Sequence, residues 1–422
     1  MRHIYKNIIA HLGFKQHTII LGLIGSGKSS LLKSVKDELL NRQNEVYNLN
    51  MNDVLTLLYL NDGAEKIFRF IPHPDSVIKK PYYLLLEDVH LLKNPSRLLD
   101  YLYNNFHGQI KVVATSAEIF FKNEYNEDAL PGKKKVYPVH SLNFDEFLQW
   151  KDRIDLIREL QVSGIHAHQV SKKYDEINKL MEEYLLYGGL PEVVMAKKPS
   201  AKIKVLNKIK HDFFKRDGLL KNIDQKDKLI RLISEVSLRS GQPLNRNDLC
   251  RLTGLSNMTA GKYLRILEHG CLISLIEPYH RFLPKEMAKM PKVYFNDLGL
   301  RNAFIDNFQE IPYRVDKKQM LDNFFFLQMR QLVDEKQLFY WRSSEQQSID
   351  LIVNGKKSIQ RVFVIKWREE DFKASKFRRF KDYYPNNEIE LFSADFIQPN
   401  KWVLTSIAPL FLKSLEEEVF AL

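Results

Sequence analysis

The stretch GLIGSGKSS, residues 22–30, decides the fold, because it fits the spacing G-x-x-x-x-G-K-[ST] of a phosphate-binding loop. Glycines let such a loop curl until successive backbone N–H groups point inward at one phosphate. The helix that follows the loop directs the positive end of its dipole at the same anion. Here an apolar segment, HTIIL (17–21), precedes the loop and an amphipathic helical pattern follows it. This context favours a nucleotide site over a glycine-rich turn with a solvent-exposed lysine.

The motif assigns roles to its individual residues. Lys28 is predicted to reach the β- and γ-phosphates of ATP, and the hydroxyl of Ser29 is predicted to ligate Mg²⁺. The residues predicted to bind the cofactor are Gly22, Gly25, Ser26, Gly27, Lys28, Ser29 and Ser30. The cofactors are therefore expected to be ATP and Mg²⁺.

A second apolar segment ends in two acids. In LLLEDVH (84–90) the strand pattern stops at Glu87 and Asp88. In P-loop folds a first acid at this place holds the Mg²⁺ shell and a second polarises the attacking water, usually in the order Asp then Glu. Here the order is reversed. We therefore predict that Glu87 ligates Mg²⁺ together with Ser29 and that Asp88 acts on water; the alternative is a strand that ends in solvated acids.

The reversed order predicts weak catalysis by Lys28, Glu87 and Asp88. Glutamate is one methylene longer than aspartate, so Glu87 would crowd the metal while Asp88 would fall short of the water. A misplacement near ~1 Å can cost ~100-fold in rate. We expect ATP and Mg²⁺ to bind and hydrolysis to be slow.

The first 155 residues alternate short apolar segments with helical patterns, which predicts an α/β fold built on a parallel sheet. The predicted strands are HTIIL (17–21), NEVYNLN (44–50), YYLLL (82–86) and KVVATS (111–116). Thr115 and Ser116 end the last of them, where a polar residue either senses the γ-phosphate or caps the strand.

Composition narrows the class of protein. The 422 residues include 44% hydrophobic and 27% charged residues, which is enough to bury a core and argues against a disordered chain. Two cysteines do not form a disulfide framework, and no apolar stretch approaches the ~20 residues that span a membrane. A cytoplasmic location without membrane contact is expected. The net charge of +12 fits a nucleic-acid or nucleotide partner and equally fits solvated lysines.

Residues 246–276 predict a helix-turn-helix unit. The pattern gives a helix, a turn at Gly254, a second helix and a strand, and the segment 292–297 could close a wing. Lys262 and Arg265 lie on the polar face of the second helix, the element that enters the major groove in such units. DNA binding and protein–protein packing both remain open, because two basic residues are few for a recognition helix.

Five segments together resemble a family of AAA-type ATPases of bacteria and archaea. They are GLIGSGKSS (22–30), LLLEDVHLL (84–92), HSLNFDEFL (140–148), YLLYGGLPEVV (184–194) and KVYFNDLGLRNAF (292–304). The resemblance implies an AAA/STAND-type P-loop core, a winged helix and a remnant of a PD-(D/E)XK nuclease. One departure concerns the Gly-Arg pair of that family, since the matching pair here is Gly132-Lys133. Lysine keeps the positive charge and loses the planar fork of arginine.

The last quarter of the chain, residues 311–422, resembles a nuclease that has lost its site. SIDLIV (348–353) and VFVIKW (362–367) are similar to the metal-binding strands of PD-(D/E)XK nucleases, and Asp350 and Lys366 match. Val364 stands where the second acid is needed, and a helix glutamate is represented at best by Asp322. One certain carboxylate does not hold Mg²⁺ in a catalytic geometry. We predict no nuclease activity.

A basic and aromatic segment follows, KASKFRRFKDYY (373–384). It could bind single strands by stacking and charge. An amphipathic helix with Phe377, Phe380 and Tyr384 turned inward is the favoured interpretation.

The sequence thus predicts four parts: an ATPase core (1–155), a helical lid (156–225), a winged helix (226–310) and a nuclease-like domain (311–422). The predicted function is that of a Mg²⁺-dependent ATP-binding protein, a slow ATP hydrolase that acts as a nucleotide-gated switch. The alternatives are a DNA-binding regulator for which ATP is only a ligand, and an interaction adaptor without catalysis. ATP is the predicted partner, with DNA or an unidentified protein as the second; the oligomeric state stays open.

Overall fold

In the computed structural model, the chain divides into two units. The first contains residues 1–140, 211–223 and 269–271, and the second contains residues 141–210, 224–268 and 272–422. The residues that the structure describes are 2–74, 81–122, 127–165, 173–215, 223, 225–279, 290–343, 347–355, 359–368 and 371–394. The first segment of the first unit ends at His140, whereas the sequence places that boundary at 155. The four-part division stays a prediction.

The first unit contains a parallel sheet with helices on both faces. Its helices are α1 (Ile4–His11), α2 (Lys28–Asn41), α3 (Val54–Asp62) and α4 (Pro95–Phe106). Its strands are β1 (His17–Leu21), β2 (Val46–Asn50), β3 (Tyr82–Glu87), β4 (Ile110–Ser116) and β5 (Lys134–Pro138). The strand order is β2-β3-β4-β1-β5, and every pairing is parallel. The predicted α/β core with a parallel sheet is therefore confirmed.

Two apolar clusters explain why the central strands are continuous apolar runs. On one face Ile20, Leu85 and Val113 pack with the apolar sides of α1 and α2. On the other face the intervening residues Leu84 and Leu86 pack with α4. A parallel sheet that is covered on both faces needs apolar side chains at successive positions. The alternation also fixes which side of the sheet each strand-end residue faces.

A buried histidine makes the stability of this unit depend on pH. His17 begins β1, its Nε2 donates to the Leu99 carbonyl over 2.8 Å, and its Nδ1 has no hydrogen-bond partner among the described residues. Burial lowers the pKa of His17 from its usual 6.5 to about 4. As the pH falls from 6.5 toward 4, the unfolded chain therefore takes up the proton first, and the folded state loses relative stability.

We expect this histidine alone to cost ~3 kcal/mol of stability at pH 4 relative to pH 7.5. Urea unfolding of wild type and His17→Gln at several pH values measures the difference. Glutamine keeps a donor for the Leu99 carbonyl and does not titrate, so the difference in unfolding free energy should change with pH across this window. A constant difference would show that His17 accepts its proton in the folded state as readily as in the unfolded chain.

The chain from residue 141 onward is helical first and mixed afterwards. Its helices are α5 (Phe144–Trp150), α6 (Ile154–Ile165), α7 (Tyr174–Tyr187), α8 (Pro191–Met195), α9 (Pro199–Phe214), α10 (Lys226–Leu238), α11 (Arg246–Thr253), α12 (Asn257–His269), α13 (Leu298–Phe304), α14 (Lys317–Met329) and α15 (Arg378–Tyr383). Its strands are β6 (Gln242–Pro243), β7 (Ile273–Ile276), β8 (Lys292–Phe295), β9 (Leu338–Arg342), β10 (Ser348–Asn354), β11 (Ile359–Lys366) and β12 (Glu390–Ser393).

These strands form two sheets within the second unit. The order β6-β8-β7 makes a small antiparallel sheet. The order β12-β11-β10-β9 makes a larger one, in which only β11 and β12 run parallel. Phe377, Phe380 and Tyr384 are buried together against Trp341 and strands β10 and β11, as the amphipathic interpretation of that segment predicts.

Three of the segments that carry the family resemblance meet in one buried junction of the second unit. The Leu142 N–H donates to the Gly189 carbonyl over 2.8 Å, and the Tyr184 hydroxyl donates to the Leu142 carbonyl over 2.6 Å. Asp297 caps α13 and also accepts from the Gly189 N–H over 2.9 Å. The Asn302 amide donates to two carbonyls in the last turn of α7. These segments therefore hold the second unit together.

Candidate functional site

The phosphate-binding loop connects β1 to α2 and has the geometry that its glycines predict. Gly25 and Gly27 adopt left-handed backbone conformations, with φ of 79° and 91°. A Cβ atom on Gly22 would lie 2.1 Å from the Val139 carbonyl oxygen, so no side chain fits there. Gly27 caps α2, and the exposed Ser29 and Ser30 follow in the first helical turn. The backbone therefore curls around the positive end of α2.

Two polar groups in the loop fit an anionic ligand. The Ser26 hydroxyl is buried and has no hydrogen-bond partner among the described residues. The Lys28 ammonium is also buried and donates to the carbonyls of Gly22 and Leu23 over 2.9 and 3.0 Å. A buried hydroxyl without a partner costs stability, and phosphate oxygens accept from both groups. The residues present thus fit the β- and γ-phosphates of a nucleotide.

An arginine that the sequence did not single out braces the loop. Arg2 donates to the Ser26 carbonyl over 3.1 Å and to the His140 carbonyl over 2.6 Å. It connects the start of the chain, the loop and the segment that follows β5. No motif surrounds Arg2 in the sequence, so only the fold could reveal this contact.

The acids lie at the same edge of the sheet as the loop, two strands away. Strand β4 separates β1 from β3, and neighbouring strands are ~4.8 Å apart, so the two strand ends are ~10 Å apart. That gap leaves room for a phosphate, a metal ion and a water. Because side chains alternate along β3, Glu87 faces the same side as Leu85, which packs with α2. The Glu87 carboxylate therefore lies on the same side of the sheet as Ser29.

Asp88 leaves the strand in a left-handed conformation, with φ of 58° and ψ of 46°. Its N–H donates to the Thr115 hydroxyl over 2.9 Å. Its carboxylate accepts from the Asn52 amide over 3.0 Å and lies 3.9 Å from His90. The second acid therefore does not continue the strand direction. Asn52, between β2 and α3, was not among the predicted residues, because its role depends on which strand lies beside β3.

The two polar residues at the end of β4 have different surroundings. Thr115 shares the face of Val113 on the α2 side, and its hydroxyl accepts from the Asp88 N–H. The Ser116 hydroxyl donates to the Glu118 carbonyl over 2.6 Å and accepts from the Glu118 N–H over 3.1 Å. Ser116 therefore forms a local turn at the strand end.

Lys133 lies away from the phosphate loop. It immediately precedes β5, so it is at the amino edge of a parallel sheet whose carboxyl edge carries the loop. Its ammonium pairs with Asp100 and donates to Asn104 over 2.9 Å, both on α4. The positive charge at this position does not reach a phosphate bound by the same chain.

The chain is similar to several known proteins. Residues 15–148 match the model of an AAA domain, and residues 178–310 match a domain of unknown function, DUF8612. An uncharacterized Haemophilus influenzae protein is 25% identical over 309 residues, which cover 68% of each chain. An uncharacterized Methanocaldococcus jannaschii protein is 21% identical over 291 residues, 66% of this chain and 60% of the other. The structure of AMPPCP-bound DnaA from Aquifex aeolicus is 16% identical, with a TM-score of 0.30 over 63% of this chain and 86% of that one.

The sheet, the loop and the AAA match together define the class of the first unit as an AAA-type P-loop domain with a nucleotide site. No helix among the described residues is long and apolar enough to cross a membrane.

Proposed function

We propose that the protein binds ATP with Mg²⁺, hydrolyses it slowly and works as a nucleotide-gated switch. The observation that carries this proposal is the buried Ser26 hydroxyl, which has no partner in the part of the chain that the structure describes, in the same loop as the buried Lys28 ammonium and two left-handed glycines. In this proposal the loop N–H groups and Lys28 hold the β- and γ-phosphates. Ser29 and Glu87 would hold Mg²⁺, which would neutralise part of the negative charge on the phosphate oxygens when it is bound.

Slow hydrolysis follows from the contacts of Asp88. A carboxylate that polarises water must accept the proton of that water at hydrogen-bond distance. The Asp88 carboxylate is short and already accepts from Asn52 over 3.0 Å, while its backbone is held by Thr115. A water held in place by Asp88 therefore competes with Asn52 for the same carboxylate.

The same contacts support a switch. Asp88 joins the β2–α3 segment through Asn52 and the end of β4 through Thr115. A γ-phosphate that accepts from the Thr115 hydroxyl, or a water that donates to the Asp88 carboxylate, would change one of these contacts. Asn52 lies just before Asp53, whose side chain caps α3, so a shift there reaches the start of that helix. A ligand with different contacts in two states shifts the balance between them.

Replacing Lys28 with alanine is expected to weaken ATP binding by ~100-fold or more, because charged hydrogen bonds to phosphate contribute ~1.5–3 kcal/mol each. Titration calorimetry with ATP and Mg²⁺ measures the change. The matched control is Lys33→Ala, an exposed lysine on the same helix α2, which should bind ATP like the wild type. Equal affinity in both variants would remove the nucleotide site from the loop.

For the second unit we propose a winged helix over residues 226–310 and a nuclease-like domain without activity over 311–422. The chain order α10, β6, α11, α12, β7, β8, with the three strands in one antiparallel sheet, supports the first assignment. The order α14, β9, β10, β11 supports the second. Lys262 and Arg265 are exposed on α12. Two exposed positive side chains are compatible with a DNA contact and with a protein contact alike. We therefore propose no DNA-binding function for this helix.

A further inference from the structure

One stretch of the second unit holds half of the net charge of the protein. Residues 197–210, KKPSAKIKVLNKIK, contain six lysines and no aspartate or glutamate, so they carry +6 of the net +12. They form the approach to helix α9 and most of that helix. Helix α7 of the same unit, by contrast, places one lysine among four acids. Balancing so one-sided a charge needs negative groups from outside the stretch.

Two of the six lysines lie on the inner side of α9 and have partners within the protein. Lys202 is buried and pairs with Glu183 over 3.1 Å. The Lys210 ammonium donates to the Ala303 carbonyl over 2.8 Å. The roles of these two lysines are therefore structural.

The other four lysines are exposed, and we call them the outer lysines: Lys197 and Lys198 just before α9, and Lys204 and Lys208 on the helix. Lys204 and Lys208 are one turn apart, so they lie on one side of α9. Among the residues that the structure describes, none of the four pairs with an acid. Their charge is thus open to a partner.

The surroundings of the outer lysines favour a phosphate backbone as that partner. Residues 197–210 include no aromatic ring on which a base could stack and no arginine whose planar fork could read guanine. The structure describes all of them, and no large apolar side chain among them is exposed for insertion into lipid. Ser200 and Asn207 are exposed and add neutral donors, which commonly contact phosphate and sugar oxygens.

The spacing of the charges also suits a duplex. From Lys204 to Lys208 the helix rises by ~6 Å, which is close to two nucleotide steps of ~3.4 Å along one strand. The lysine ammonium is a point charge on a flexible stem, so it adjusts to the position of a phosphate. Lys197 and Lys198 lie at the start of α9, where the helix dipole adds positive charge.

We propose that the outer lysines bind the phosphate backbone of a nucleic-acid duplex without reading its sequence. Each phosphate contact releases counterions, so the affinity depends steeply on salt. Four contacts give a slope of about −3.6 for the logarithm of the binding constant against that of the salt concentration. Their contribution therefore weakens ~100-fold between ~50 and ~200 mM salt. This binding is separate from the nucleotide site and needs no ATP.

The test measures the salt slope with the full chain and without nucleotide. Fluorescence anisotropy follows a labelled DNA duplex of ~20 base pairs at several salt concentrations. Lys204→Gln combined with Lys208→Gln removes two charges, and glutamine keeps the helix propensity of lysine. We expect this variant to lower the magnitude of the slope by ~2 and to bind ~10-fold or more weakly at ~50 mM salt. A duplex of another sequence should give the same values.

Two matched variants assign the effect to these positions. Lys93→Gln combined with Lys336→Gln removes two exposed lysines elsewhere, so the net charge changes equally and the slope should stay that of the wild type. Lys204→Arg combined with Lys208→Arg keeps the charge and should also keep the slope. All these side chains are exposed, so every variant should melt like the wild type by circular dichroism.

Three outcomes would overturn the proposal. The first is a wild type that does not bind the duplex at ~50 mM salt. The second is a glutamine variant that keeps the wild-type slope, which would place any duplex binding elsewhere on the protein. The third is a loss of binding confined to vesicles that contain phosphatidylserine, with duplex binding unchanged, which would assign the outer lysines to a membrane surface.

Discussion

Exchanging the two acids, in Glu87→Asp with Asp88→Glu, is expected to raise ATP turnover by ~10- to 100-fold. Aspartate at position 87 relieves crowding at the metal. Glutamate at position 88 extends the carboxylate by one methylene, past the Asn52 amide that holds the wild-type side chain over 3.0 Å. Affinity for ATP with Mg²⁺ should change little, because the loop residues that hold the phosphates are untouched.

The left-handed backbone at position 88 opposes this gain, with φ of 58°. A non-glycine residue in that conformation costs ~1–2 kcal/mol, less for Asp and Asn than for Glu. The cost falls on stability of the fold, whereas a correctly placed carboxylate acts on the barrier, where ~2.7 kcal/mol corresponds to ~100-fold in rate. We therefore expect a faster and somewhat less stable enzyme.

Turnover is measured as phosphate release at saturating ATP with Mg²⁺. ATP binding is measured on the same samples. Lys28→Ala in the exchanged background should abolish the gain, which assigns the activity to this site. Asp88→Asn in the wild-type order should lower any residual rate. If the wild type already turns ATP over as fast as the exchanged form, the Glu-Asp order is tolerated and Asp88 reaches water from its left-handed position.

Residues whose role depends on local sequence could be predicted, and those that depend on strand order could not. The loop from Gly22 to Ser30 is a continuous motif, so its helix start and its glycines were predictable from spacing alone. Asn52 and Thr115 reach Asp88 only because β3 lies between β2 and β4. The sequence pointed to Thr115 from its place at a strand end and gave no signal for Asn52.

Strand β5 could not be predicted from the sequence, because its hydrophobic pattern is too weak. Lys134–Pro138 forms an edge strand with partly exposed side chains, so it lacks the apolar run of a central strand. The position of β5 also determines the surroundings of Lys133, which the resemblance matches to the arginine of the Gly-Arg pair. Strand β5 begins at the amino edge of the sheet, whereas the phosphate loop lies at the carboxyl edge. Lys133, just before β5, therefore lies away from the loop and pairs with Asp100 on α4.

The buried acids Asp322 and Asp350 show a second limit of prediction from sequence. Asp350 and Asp322 were recognisable as remnants of a metal site, and Val364 predicted the loss of nuclease activity. The sequence did not indicate what neutralises two buried acids, because Lys292 is distant along the chain and Lys318 looks like an ordinary helix lysine. Only the packing of β8 on α14 brings these charges together.

Gly299→Ala is expected to destabilise the second unit by ~3 kcal/mol or more, because its Cβ has no space and overpacking against backbone cannot relax. A Cβ atom on Gly299 would lie 1.9 Å from the Tyr187 carbonyl oxygen and 3.0 Å from the Gly188 nitrogen. Helix α13 would have to move away from the end of α7. That movement would break the hydrogen bonds from Asn302 to the last turn of α7 and from Gly189 to Asp297.

The matched control is Gly261→Ala, within α12 of the same unit. A Cβ there meets the Arg246 guanidinium at an ordinary contact distance of 3.7 Å. Alanine in a helix interior is favoured over glycine by ~1 kcal/mol, so this variant should melt at or above the wild-type temperature. Thermal unfolding followed by circular dichroism compares the three proteins, and a loss of ~6–12 °C is expected for Gly299→Ala alone. If Gly299→Ala melts like the wild type, α13 does not pack against α7 as the structure shows. If it melts early, packing requires the glycine of the segment KVYFNDLGLRNAF (292–304), and this part of the family resemblance stabilises the fold of the second unit.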